Sequence, residues 1–216
     1  MPEMMAIGGM VQTSATMLGF MSAYLYGFVL VVSPMVYSML TAHRLVAKYV
    51  DRGSMAYLLA APVPRRKVAL TQMKVLASGI LLLVLYASAV QIITSEALFP
   101  GELDIGKMLV LNLGLFCLHL FIGGICFLAS CIFSDAKYSA AFGAGIPALG
   151  FIIQMLANYG GDLEAAKYFT FLTLYQPEGI IAGEAGAYWG MGILFAAALV
   201  LYAAAILIFS KQDLHI

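Results

Sequence analysis

Residues 73–95 read MKVLASGILLLVLYASAVQIITS. The run ILLLVLY at its centre does not alternate apolar with polar residues, so it is not a strand of an outer-membrane barrel, whose strands alternate over about 10 residues. A helix needs about 20 apolar residues to cross a bilayer, and this stretch supplies them. Working outward, four more stretches have the same character: 17–41 (MLGFMSAYLYGFVLVVSPMVYSMLT), 108–133, 139–158 and 187–210. The whole chain of 216 residues is 63% hydrophobic and 10% charged. Soluble domains carry about 25% charged residues, and a globule of this size could not bury so much apolar surface. That composition excludes a soluble enzyme and a disordered chain. Eleven Lys+Arg against eleven Asp+Glu leave no net field to attract a nucleic acid. The fold class expected is all-α, a polytopic helical membrane protein of five visible spans. Residues 1–216 then form a single transmembrane domain.

The charges sort by side. Arg44, Lys48, Arg52, Arg65, Arg66, Lys67, Lys74, Lys137 and Lys211 fall on one side if all five stretches cross. Glu3, Glu96, Glu102, Asp104, Asp162, Glu164, Glu178 and Glu184 fall on the other, with Lys107 and Lys167. Short loops rich in Lys and Arg stay in the cytoplasm. The expected location is therefore the cell (cytoplasmic) membrane, with the 42–74 segment and the C-terminus inside and the N-terminus outside. MPEMMAIGGM has no basic region and is not a signal peptide.

The 159–186 segment is too short in apolar residues to span. It reads as one or two short interfacial helices on the outer surface. Asp162 is placed to cap the first of them, Pro177 to stop it, and Tyr168, Phe169, Phe171 and Tyr175 suit the headgroup boundary. Within the spans, Gly19, Ala23 and Gly27, and likewise Ala140, Ala144 and Ala148, let backbones approach. Pro34 and Pro147 are expected to kink their helices. Asn112 and His119 share a face of the third span, and Gln91 and Gln154 lie on the second and fourth. Such groups commonly hydrogen-bond between helices. No acidic or basic residue sits deep in a span, which weighs against an ion-driven transporter. Cys117, Cys126 and Cys131 fit no zinc spacing and read as small packing residues. H-E-x-x-H, G-x-S-x-G and G-x-x-x-x-G-K-[ST] are all absent, so the chain carries no zinc-protease, hydrolase-elbow or ATP-binding motif.

Residues 42–74, AHRLVAKYVDRGSMAYLLAAPVPRRKVALTQMK, hold the most specific pattern. Arg44, Lys48 and Arg52 repeat along a helical face that Gly53 breaks. Ser54 can cap a short apolar helix that Pro62 and Pro64 end. Its Met55, Tyr57, Leu58 and Leu59 suit the membrane surface or a groove on a partner.

This stretch resembles the permease subunits of ABC-2-type ABC transporters. Asp51, Gly53, Leu58, Leu59, Pro62 and Arg65 follow that family's order. Pro64 stands where Ser or Thr is usual, and Asp51 where Glu is commoner. LYQPEGIIAGE (174–184) is similar to the segment before the family's last span, and FSKQDLHI (209–216) to the tail after it. The resemblance implies six spans, of which this chain shows the last five, and residues 1–16 resemble the outer connection after the first. It implies that 42–72 is a cytoplasmic coupling loop against separate ABC ATPase subunits, which bind the ATP and magnesium; this chain itself is expected to bind no cofactor. The coupling residues are then Arg44, Lys48, Asp51, Arg52, Gly53, Met55, Tyr57, Leu58, Leu59, Pro62 and Arg65. A second permease copy or paralogue and the lipid bilayer are the other partners implied. The family favours export, and the uncharged interior favours an amphipathic or lipid-like cargo. Tyr24, Tyr37 and Gln154 are the path-lining candidates. The rival readings are a non-transporting membrane scaffold or assembly subunit and an intramembrane enzyme.

Overall fold

The computed structural model describes residues 16–51, 64–159 and 161–211, and every element in it is helical. Five helices are long and apolar enough to cross a bilayer: α1 (Met17–Ala47), α2 (Arg65–Leu98), α3 (Ile105–Ile132), α4 (Ala136–Asn158) and the last, α6 (Ala185–Lys211). The chain is an all-α polytopic membrane protein. Between α4 and α6 lie two 3-10 helices, Gly161–Phe169 and Phe171–Leu174, and the short α5 (Pro177–Ala182). Of the segment read as a coupling loop, 42–51 and 65–72 are helix, continuing α1 and belonging to α2.

Helix ends follow local chemistry. Thr16 caps α1 by accepting from the Gly19 N–H at 3.2 Å. Asp104 caps α3 through the Lys107 N–H at 3.0 Å, and Asp135 caps α4 through the Lys137 N–H at 2.7 Å. Pro177, expected to stop a helix, instead opens α5 as its first residue. A proline there loses nothing, because its missing N–H would have had no helical partner. The preceding helix has already ended at Leu174. Gly183 ends α5 in the left-handed region at φ 79°. The side chain of Asp162 and the tail beyond Lys211 lie outside what is described.

Helix α3 is the centre. Of its most apolar window 72% is buried within the protein, against 22–33% for the other four spans. It touches all four of them, α6 most extensively. Its fully buried Leu111, Leu115, Leu118, Ile122 and Phe127 make the core with Leu76, Ile80, Leu194 and Phe209. A smaller cluster joins Leu18 and Met21 of α1 to Leu103 and Met108. The start of α1 therefore lies beside the start of α3, at the end of the bundle that carries Glu96, Glu102 and Asp104. Arg44 and Lys48 sit at the opposite, basic end.

Both proline-bearing helices are repaired by α3. Pro34 has no N–H to give the carbonyl four residues back, Leu30 O. His119 Nε2 lies 2.8 Å from that oxygen. A carbonyl only accepts, so the His119 proton is on Nε2. Pro147 likewise deprives Gly143 O, and Cys126 Sγ donates to it at 3.1 Å. Freed backbone groups in a membrane helix need such partners, because no water is present to satisfy them. Cys126 is thus a hydrogen-bond donor to a neighbouring helix as well as a small packing residue. Around Pro34, α1 also runs in wider turns: Ser22–Val29 and His43–Ala47 are π-helical, and the Leu30 N–H reaches back five residues to Leu25 O.

His119→Ala should lower stability in detergent by about 1–3 kcal/mol, the usual cost of an unsatisfied buried polar group. Pro34→Ala returns an N–H to Leu30 O within α1. It should recover most of that loss in the His119→Ala background and little in the wild-type background. A double-mutant cycle of thermal or chemical unfolding checks the coupling.

Candidate functional site

Polar residues gather between α1 and α4 at the acidic end. A half-open cavity of about 470 Å³ lies there. Helix α1 contributes Ser22, Ala23, Tyr26, Gly27 and Val31, and α4 contributes Phe151, Gln154, Met155, Ala157 and Asn158. Lys167, Leu172, Thr173, Tyr175, Gln176, Glu178 and Glu184 form the outer wall. Phe28 and Phe151 meet beside it, ring centroids 5.8 Å apart.

Small residues let the outer wall fold down onto the bundle. Thr170 Oγ1 donates to Gly150 O at 2.9 Å, and the Phe171 ring lies against Gly150 where any side chain would collide. Gly190 of α6 faces the Leu174 carbonyl so closely that a Cβ would strike it. Gly114 of α3 admits Ile180 and Tyr175. On this scaffold Gln154 Nε2 donates to Asn158 Oδ1 at 3.0 Å. Thr173 Oγ1 lies 3.1 Å from Gln154 Oε1 and 2.6 Å from Lys167 O, tying the outer wall to α4. Gln176 Nε2 donates to Thr173 O at 3.1 Å. Lys167 pairs with Glu164 at 2.6 Å. That exposed contact holds the carboxyl below its ordinary range and the ammonium above it, each stabilised as the ion by the other. Tyr175 is buried with no partner for its hydroxyl, and burial raises it well above the ordinary phenol range, so it stays neutral.

Tyr26 forms the inner wall. It is 1% exposed. Its hydroxyl lies 2.9 Å from Gln91 Oε1 and 2.8 Å from Asn112 Oδ1, sharing its one proton between them. Asn112 Nδ2 donates to Gln91 Oε1 at 3.2 Å. These three residues join α1, α2 and α3. A second, largely apolar cleft of about 400 Å³ lies on the other side of them, between α1 and α2. The two cavities share no lining residue but meet at the Tyr26–Gln91 bond.

The path-lining candidates do not come together. Gln154 lines the polar cavity and Tyr37 the apolar cleft. Tyr24 lines neither, and its ring packs on Phe20 with centroids 4.6 Å apart. Tyr26, two residues on, is the tyrosine that reaches the polar cavity, with Ser22 one turn before it. Their four-residue spacing, which puts both on one face of the helix, was a readable signal. Thr173, Gln176 and Glu178 could not be read as lining, because only the folded outer segment brings them over α1.

Of the coupling residues, Arg44 and Lys48 are exposed at the basic end of α1, Asp51 closes its last turn and Arg65 opens α2. Arg52, Gly53, Met55, Tyr57, Leu58, Leu59 and Pro62 lie outside the described residues. Among the described residues, no group of three His, Cys, Asp or Glu could hold a metal ion. Compared with protein-family models, curated proteins and solved structures, the chain matches none. What the polar cavity offers chemically is recognition: amide and hydroxyl groups, two rim carboxylates and an apolar floor suit a molecule with a polar head and an apolar body.

The polar cavity should be wet and the native thiols dry, since Cys117, Cys126 and Cys131 are all buried. A membrane-impermeant maleimide should leave the wild-type chain unlabelled and label Asn158→Cys within minutes. Labelling of the wild-type chain would show that a native thiol is reached by water, and a silent Asn158→Cys in a folded variant would show that the cavity is closed to it.

Proposed function

We propose that this chain is the membrane-spanning permease subunit of an ATP-driven ABC-2-type transporter, exporting an amphipathic cargo with energy from a separate ATPase. The ordered resemblance of residues 51–65, 174–184 and 209–216 motivates the reading. The observation that carries it furthest is the placement of the polar cavity. It lies between α1 and α4, the helices that correspond to the family's central pair, and it opens at the acidic end. The positive-inside rule assigns the basic end to the cytoplasm, so the cavity faces outward.

The mechanism follows from the hinges. Helices α1 and α4 each carry a proline, and each is tied to α3 at the carbonyl that its proline frees. Closure of an ATPase dimer pushes on the 42–67 segment, at the far end of α1 from the cavity. Helix α1 then tilts about the His119–Leu30 bond, and its cavity-lining turn moves relative to α4. Arg44, Lys48, Arg52 and Arg65 orient the ATPase electrostatically, while Met55, Tyr57, Leu58 and Leu59 supply the buried contact. Cargo enters with its polar head among Gln154, Asn158 and Thr173 and its apolar part along Phe151 and Met155.

The test is affinity purification of the tagged chain from its own host in mild detergent. A P-loop ATPase should co-purify. Its recovery should fall at least tenfold for Leu58→Asp/Leu59→Asp, which keeps normal membrane insertion. Failure to recover an ATPase with the intact chain favours the scaffold reading, and transport that persists in the double variant removes the coupling role.

A further inference from the structure

The apolar cleft between α1 and α2 has no part in that scheme. Its back wall is Leu115 of α3, and its mouth opens toward lipid past Tyr86, which is 70% exposed. Its lower end is closed by Tyr37, whose ring occupies the space that any side chain at Gly79 would need. The Ser33 hydroxyl on its wall is already committed, donating to Val29 O at 2.8 Å. One buried polar group on the wall is not. Gln91 is 6% exposed; its oxygen accepts from Tyr26 and Asn112, while its Nε2 has no partner. A buried amide N–H at membrane depth is costly unless something accepts from it.

Depth and size identify what would. Lys74 and Glu96 bracket the apolar part of α2 at about 33 Å, close to the ~30 Å hydrocarbon core. Gln91 then sits about 7 Å inside the acidic-end boundary, within reach of the glycerol ester level. From Leu25 to Tyr37 the cleft runs about 18 Å along α1. A helix about 10 Å across would need roughly 1400 Å³ over that length, several times the cleft's volume of about 400 Å³. A single hydrocarbon chain is narrow enough.

We propose that this cleft binds one acyl chain of a phospholipid from the acidic-end leaflet, with the chain's ester carbonyl accepting from Gln91 Nε2. The bound lipid fills the cleft between α1 and α2, and completes the hydrogen bonding of the carboxamide that also holds Tyr26. The site is independent of the transport reading, since it requires only the spans and the bilayer.

The full chain is reconstituted in vesicles holding equal amounts of dioleoyl phosphatidylglycerol and its diether analogue, which lacks the ester carbonyls. It is then extracted in mild detergent and weighed by native mass spectrometry. One retained lipid per chain is expected, with the diester preferred roughly fivefold, as one hydrogen bond in a membrane protein allows. Gln91→Leu should erase the preference, and Ala87→Trp, which fills the cleft, should abolish retention in a chain whose unfolding temperature is unchanged. Because the preference is read on the unaltered chain, a variant that fails to fold does not decide the matter. Equal retention of the two lipids, no retained lipid, or a lipid still held by a folded Ala87→Trp chain would each overturn the proposal.

Discussion

The fold depends on one constraint: a backbone carbonyl inside a bilayer must find a donor, and proline takes the donor away. Pro34 and Pro147 each release one carbonyl, on α1 and on α4. Both are met from α3, by His119 and by Cys126. Those two side chains are seven residues apart and share a face of the helix, with Asn112 a further seven before them. Asn112 binds Tyr26 of α1. One stripe of three polar residues on an otherwise apolar helix thus fixes where α1 and α4 sit. Such bonds hold position more than they add stability, because each contributes only about 0.6 kcal/mol on average.

Two spaces flank α1. On its α4 side the outer segment roofs a polar cavity with Thr173, Tyr175 and Gln176. On its α2 side lies an apolar cleft backed by Leu115. Tyr26 and Gln91 stand between the two, so one hydrogen bond at 2.9 Å separates a polar cavity from an apolar cleft.

The five spans, their approximate limits and the separation of the charges were legible from hydropathy alone, because a long uncharged run in a bilayer has no alternative to a helix. The loss of a backbone donor at Pro34 and Pro147 was legible too, because proline lacks an N–H wherever it stands. The grouping of Asn112 with His119 followed from heptad spacing. The donor role of Cys126 did not, since its partner is a carbonyl freed 17 residues away on another helix. Pro177 misled for a related reason. Proline both ends helices and begins them, and which occurs depends on where the preceding turn has already stopped.

By itself, then, the sequence determined which stretches are long and apolar enough to cross, which ends are basic and acidic, and where proline interrupts the helical hydrogen bonding. These are local properties, set by side-chain transfer into lipid and by the chemistry of single residues. Which helix lies at the centre, which carbonyl each donor meets and which polar residues line a common space were decided only by the tertiary structure. Helices of nearly equal hydropathy gain nothing from lipid-driven sorting, so close packing at small residues and a few hydrogen bonds choose the arrangement.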